Sequence, residues 1–234
     1  MKSTNPNITL AIIPDGNRRA AKRLMQQPWK GHEWGLEKTK EVLRWCRELN
    51  IREVTFYAFS LKNFNRPKKE FDFLMQLFKN GLDQLKIDDD VKNNKIKVNF
   101  IGRLHLFDKE LQEKMQEISE LTKHHTKHII NFAIGYDCRA EIVDAVKKIA
   151  KDVKEGKIDL KDIDEALIQK NLYLSRDVDL VIRTSGEKRT SSFLPLQADY
   201  AELAFIQSYW PEVTKEEFVS IIEDFKKRDR RFGK

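Results

Sequence analysis

The chain has 234 residues, 40% hydrophobic and 10% aromatic, enough for a packed α/β core and too much for an extended disordered chain. Its 44 basic and 37 acidic side chains leave a net charge of +7, spread through mixed-sign stretches that read as salt-bridged surface. The pattern excludes zinc-finger, RNP-type and basic-heptad nucleic-acid binders, no stretch approaches the ~20 apolar residues of a membrane span, and Cys46 and Cys138 form no CxxC pair or disulfide framework.

Strand-like and helix-like segments alternate along the chain, the pattern of a parallel sheet with crossover helices. Residues 10–13 form a short apolar strand that Pro14 stops, too short for a signal-peptide core, so a reducing cytoplasm is expected. Residues 20–25 should follow as a helix, and Leu36, Leu43, Cys46 and Leu49 mark one apolar face of a second helix. Residues 54–59 form a β-rich run apolar enough for a sheet covered on both sides. Phe71, Leu74, Met75, Phe78, Leu82 and Leu85 then recur at helical spacing, and Asp88, Asp89 and Asp90 read as a solvated loop. Ile96, Val98 and Phe100 alternate as a strand, and Leu111, Met115, Ile118 and Leu121 mark the next helix. His124, His125 and His128 include an i,i+4 pair with no third ligand nearby, so solvated histidines are expected.

Residues 129–134 form another strand, with Ile142, Val146 and Ile149 on a helix after it. Residues 151–177 are charged and suit short helices, and residues 178–182 and 203–206 give a fifth and a sixth strand. Thr214 and Glu217 form a capping box for a helix that runs to about Arg228. No repeat or Gly/Ser linker interrupts the pattern. The expectation is an α/β fold: one domain over residues 1–234, with a mostly parallel six-stranded sheet flanked by helices.

Three of the strands run into polar clusters: Asp15, Gly16, Asn17, Arg18 and Arg19 after the first, Ser60, Asn63 and Arg66 after the second, and Arg183, Arg189 and Ser191 from the fifth. Ligands of open α/β sheets bind outside the carboxyl ends of parallel strands, so these clusters should converge on one pocket. Arginine forks suit phosphate oxygens, glycine lets backbone N–H groups approach an anion, and Asp15 is placed to hold Mg²⁺ against a diphosphate. Taken alone, Asp15 is equally open to an ordinary role as helix N-cap.

Together the segments closely resemble the cis-prenyltransferase family, typified by undecaprenyl diphosphate synthase. The resemblance rests on residues 13–19, Gly31 and His32, residues 57–60, Asn63, residues 65–67, residues 182–187, residues 197–202, Trp210 with Pro211, and residues 230–233. It implies a Mg²⁺-dependent enzyme that condenses an allylic prenyl diphosphate with isopentenyl diphosphate to give a cis-polyprenyl diphosphate, with a hydrophobic tunnel beside the sheet for the growing chain. Position by position, it implies that Asp15 binds the metal and that Gly16, Asn17, Arg18, Arg19, His32, Ser60 and Arg66 hold the allylic diphosphate, with Ser60, Asn63 and Arg66 on a closing loop. Asn63 is a catalytic candidate beside Asp15, sharing with a diphosphate oxygen the possible role of proton acceptor. Arg183, Arg189, Ser191, Arg231 and Gly233 would bind the isopentenyl diphosphate or another acceptor, and Glu202, near the dimer interface, would support metal and acceptor binding. The ending at Arg231 and Gly233 is expected to reach the active site of a second copy, which implies a homodimer, and the isoprenoid product implies a peripheral membrane contact. Arg18 stands where several family members have glycine, and Arg18 or Lys30 is expected to offset an arginine missing before His32. Two alternatives stay open: a divergent member making a short or irregular product with dimethylallyl diphosphate or an alcohol as acceptor, and a non-catalytic subunit of a heteromeric enzyme.

Overall fold

The computed structural model describes residues 8–229. Arg231 and Gly233 lie outside the described residues. One sheet contains β1 (Thr9–Ile13), β2 (Glu53–Ser60), β3 (Ile96–Ile101), β4 (His128–Tyr136), β5 (Leu180–Arg183) and β6 (Glu202–Phe205). The order is β3-β4-β2-β1-β5-β6 and every neighbouring pair is parallel, so the mostly parallel sheet expected from the sequence is parallel throughout. β1 lies between β2 and β5, where the winding changes direction; the crevice beyond its carboxyl end is the switch point at which such sheets bind ligands.

The connecting helices are α1 (Asn17–Arg23), α2 (Lys30–Glu48), α3 (Lys68–Ile87), α4 (Asp89–Asn93), α5 (Lys109–Thr122), α6 (Cys138–Lys154), α7 (Glu165–Asn171) and α8 (Lys215–Lys227). The period-2 geometry of β1 divides the core. Leu10 and Ile12 join Val42, Cys46, Leu74 and Phe218 from α2, α3 and α8, whereas Ala11 and Ile13 pack with Val181, Tyr136 and Phe193 on the other face. Adjacent registers of β2, β3 and β4 present opposite chemistry. Phe100, Phe132 and Phe56 stack across the strands at centroid distances of 5.8 and 6.0 Å, while Asn99 donates to Asn131 at 2.8 Å and Asn131 to Thr55 at 3.1 Å. The amides on the second face satisfy one another, so their burial carries little desolvation cost.

Several local expectations need correction. α1 starts at Asn17 and stops at Arg23, where the expectation was residues 20–25, because Met25 turns into the left-handed region at φ 54°. Residues 89–93 form a short helix in place of a solvated loop, and the Asp88 carboxylate accepts the Val91 N–H at 3.2 Å. His125 and His128 are half-buried, each with Nδ1 at a backbone carbonyl, Ile96 at 2.9 Å and Ile51 at 3.1 Å, and only His124 is fully solvated. α6 turns Ala140, Ala145 and Ile149 inward and leaves Ile142, Val143 and Val146 exposed. The capping box of Thr214 and Glu217 opens α8 as expected. Cys46 and Cys138 are both free. Among the described residues no helix is long and apolar enough to cross a membrane.

Candidate active site

The ends of β1 and β5 are locked together around Asp15. Its backbone N–H donates to Thr184 Oγ1 at 2.9 Å, and its carbonyl accepts from the Thr184 hydroxyl at 2.6 Å and the Trp210 N–H at 2.9 Å. The carboxylate is therefore aimed by the fold. Arg183 Nη2 meets Oδ2 at 2.9 Å and Arg19 Nη2 lies 3.1 Å from Oδ1. Burial pushes this carboxyl up, but the hydrogen bonds and charges of Arg183 and Arg19 outweigh it and hold the pKa below the ordinary 3.8. The N-cap reading of Asp15 is corrected, since Gly16 occupies that position with φ 105°. A side chain at Gly16 would be strained, and its Cβ would lie 2.8 Å from Tyr209 Cδ1.

The cations are ordered in turn. Arg19 donates to Ser185 Oγ at 2.6 Å and Glu187 Oε1 at 3.1 Å, with its guanidinium 5.5 Å from the Tyr209 ring centroid. Arg183, only 5% exposed, donates through Nη1 to Ser191 Oγ at 2.7 Å and to the Arg189 carbonyl, while its buried Nε has no partner. Arg189 itself pairs with Glu187.

A polar pocket of about 450 Å³ is lined by Pro14, Asp15, Gly16, Asn17, Arg18, Arg19, Lys22, His32 and Arg66. The structure thus brings the β1 cluster, the first turn of α2 and the end of the β2 loop together. On the far side of His32, Glu70 is buried on the first turn of α3 and gathers Arg66 at 3.1 Å, His32 Nε2 at 3.2 Å and Arg18 at 3.6 Å. Burial, helped by the Arg66 charge and opposed by Glu70, depresses the His32 pKa from 6.5 to about 4, so the ring is neutral at physiological pH. Sequence reasoning missed Glu70: one acidic residue in a charged helix start looks like surface, and its i,i+4 spacing from Arg66 was the available signal.

Pro14, Asn17, His32 and Arg66 also border a second cavity of about 520 Å³ between α2, α3 and the sheet. Leu36 and Leu43 of α2, Leu74, Phe78 and Leu85 of α3, and the Phe56–Phe132–Phe100 ladder make its walls apolar. Asn63 borders the same space; its Oδ1 accepts the Ser60 N–H at 2.9 Å, so these two residues fix the turn after β2. Glu202 is elsewhere. It begins β6 beside Leu180, three registers before the Arg183–Phe205 pair, and its carboxylate meets Arg228 Nη1 at 2.6 Å. Among the described residues no three His, Cys, Asp or Glu side chains converge.

A family model described as putative undecaprenyl diphosphate synthase matches residues 13–233. A tritrans,polycis-undecaprenyl-diphosphate synthase (geranylgeranyl-diphosphate specific) of Pyrococcus abyssi is 47% identical over 227 residues, covering 96% of this chain and 86% of that protein. Among solved structures, a probable undecaprenyl diphosphate synthase from Campylobacter jejuni is 34% identical with a TM-score of 0.80, covering 97% of this chain and 98% of that one. Lavandulyl diphosphate synthase from Lavandula x intermedia, in complex with dimethylallyl diphosphate, is 29% identical with a TM-score of 0.89 at the same coverage.

Proposed function

We infer the reaction from the family: this chain belongs to the cis-prenyltransferases, the family of the undecaprenyl diphosphate synthases. It is a prenyltransferase that condenses an allylic prenyl diphosphate with isopentenyl diphosphate to a cis-polyprenyl diphosphate, and we propose geranylgeranyl diphosphate as the primer and an undecaprenyl chain as the product. The observation that carries this reading is an Asp15 carboxylate held ionised between Arg19 and Arg183, on the rim of a cationic pocket that opens into an apolar cavity.

In this reading Gly16, Asn17, Arg18, Arg19, His32 and Arg66 hold the allylic diphosphate, and the prenyl tail lies in the apolar cavity. His32 donates a ring N–H hydrogen bond to the diphosphate. Glu70 holds Arg66 and Arg18 near the phosphate position before substrate arrives. Arg183, Arg189 and Ser191 hold the isopentenyl diphosphate, which places its alkene against the allylic carbon. One ionised carboxylate facing cations fits Mg²⁺, which binds through one or two carboxylates plus phosphate oxygens, so Asp15 would hold it. When bound, the metal stabilises the charge that builds on the departing diphosphate. The allylic C–O bond breaks and diphosphate departs with its electron pair, the alkene carbon bonds to the allylic carbon, and a proton passes to a diphosphate oxygen, which sets the cis double bond. The apolar walls keep water from the cation, and Ser60 and Asn63 close the turn over it.

A homodimer suits the exposed Ile142, Val143 and Val146 of α6 and the exposed Leu203 on edge strand β6. In that assembly Glu202, which neighbours Leu203, would act across the subunit boundary, together with the chain ending at Arg231 and Gly233. The product suits work at the cytoplasmic surface of a membrane. Irregular coupling of dimethylallyl diphosphate is less favoured, because identity is 47% to the elongating synthase and 29% to the lavandulyl enzyme. A non-catalytic subunit would not be expected to keep Asp15, Arg19, Arg183 and Ser191 interlocked. Primer competition tests the reading: geranylgeranyl diphosphate should give the highest kcat/KM with isopentenyl diphosphate, and preference for dimethylallyl diphosphate as both donor and acceptor would overturn it.

A further inference from the structure

The segment after β5 concentrates backbone strain. Ser185, Ser191, Ser192 and Leu194 have φ of 74°, 53°, 65° and 49°, four of the seven described non-glycine residues in the left-handed region. Serine and leucine gain nothing from that conformation, so it persists only where the surroundings impose it. What imposes it is a buried clamp on the face of the sheet away from the apolar cavity. Phe193 is wholly buried, stacked parallel on Tyr57 at 4.6 Å and edge-on to Tyr136 at 5.9 Å. The Cys138 N–H ties down the Ser192 carbonyl at 3.2 Å.

Farther along, Gln197 donates to Glu141 Oε1 and to the Leu174 carbonyl, both at 3.0 Å. Glu141 is 1% exposed and also accepts from the Tyr136 hydroxyl at 2.5 Å and the Tyr173 N–H at 2.9 Å. A buried carboxyl with this many partners is costly to replace, yet Glu141, Gln197 and Phe193 border neither pocket. The loop carries them to the second diphosphate: Ser191 Oγ and the Arg189 carbonyl both accept from Arg183, whose other Nη faces Asp15, while Phe193 also touches Tyr57 on the border of the apolar cavity.

We propose that Glu141, Gln197 and Phe193 are positioning residues for the second diphosphate, clamping the strained loop so that it fixes the Arg183 guanidinium. The inference rests on the assignment of Arg183, Arg189 and Ser191 to isopentenyl diphosphate. Without the clamp the loop relaxes toward ordinary φ, Ser191 moves away, and Arg183 loses its aim while the allylic side keeps its own supports.

The test compares Phe193→Leu, Gln197→Met and the pair Glu141→Gln and Glu141→Leu with the wild-type protein. In substrate-free protein, amide exchange across residues 189–194 should quicken by about tenfold or more in Phe193→Leu and Gln197→Met. The KM for isopentenyl diphosphate should rise by about tenfold while that for the allylic diphosphate stays within about twofold. Glu141→Gln keeps an oxygen for Gln197 and Tyr173 and should lie nearer wild type than Glu141→Leu; if the leucine variant does not fold, Gln197→Met still decides. Lowered Tm with both KM values unchanged, an equal rise in both, or unchanged exchange would each overturn the inference. If wild-type protein fails to turn over isopentenyl diphosphate, the proposed reaction falls, while the exchange result still judges the clamp.

Discussion

Where β1 and β5 end, nearly every polar atom near Asp15 has a partner: Thr184 on its backbone, Arg183 and Arg19 on its carboxylate, Ser185 and Glu187 on Arg19. Where α2 and α3 run past each other, the space between them is a cavity, bridged by Lys40 to Gln84 at 2.9 Å and by Leu36 facing Gly81. The first region is set before any ligand arrives, as electrostatic stabilisation of a leaving group requires. The second has room to spare, as a site for a lengthening apolar chain requires. Rigidity and vacancy are divided between the two ends of one pocket.

The sharpest break of the polar side is Asp15→Ala, which removes the carboxylate shared by Arg19 and Arg183 and leaves Arg19 to Glu187 and Ser185, and Arg183 to Ser191 and the Arg189 carbonyl. Incorporation of labelled isopentenyl diphosphate should fall by about a thousandfold or more, and a loss of only a few-fold would refute the central role of this residue. On the apolar side, Gly81→Phe should leave the early condensations within about threefold and shorten the final product, read by mass. A Cβ at Gly81 meets only Leu36 methyls, at 3.5 and 3.7 Å, and replacing a helical glycine removes up to about 1 kcal/mol of propensity cost, so Tm should hold. Unchanged chain length would show that the product does not pass this wall.

Much of this division was legible in the sequence. Six strands and the faces of α2, α3 and α5 followed from apolar spacing, because a sheet covered on both sides and a half-buried helix each impose a period. The polar half was legible as motifs at strand ends, where Asp15, Arg19, Arg183 and Ser191 now meet. Three things were not. Glu70 carried no mark beyond its spacing, since a buried acid and a surface acid look alike in a row of letters. Ser191, Ser192 and Leu194 gave no hint of positive φ, because the usual glycine is missing and tertiary packing imposes the conformation. The place of Glu202 within its own chain, toward the opposite end of the sheet from Asp15, is set by strand register and carried no mark in the letters.

Two smaller effects probe the boundary between the regions. Arg18 lines the polar pocket beside Glu70, half-exposed, so Arg18→Gly should raise the KM for the allylic diphosphate by about three- to tenfold and leave that for isopentenyl diphosphate unchanged. Unchanged allylic affinity would remove Arg18 from the site. His32 tests the same place by pH. Its folded pKa of about 4 lies below the ordinary 6.5, so the unfolded chain binds more protons between these values, and stability is fully present above pH 6.5 and lost toward pH 4. His32→Gln should flatten that part of the stability curve in denaturant titrations; an unaltered slope would mean the ring is not the group that titrates.

The central claim is that an ionised Asp15 among fixed cations and an apolar cavity together extend a prenyl chain in the cis sense. The most direct measurement incubates the purified protein with geranylgeranyl diphosphate and labelled isopentenyl diphosphate, with and without Mg²⁺, and resolves products by mass and double-bond geometry. The account predicts a Mg²⁺-dependent ladder that ends at one dominant cis-polyprenyl diphosphate. No incorporation by folded protein, or a product that stops at a single irregular coupling, would contradict it.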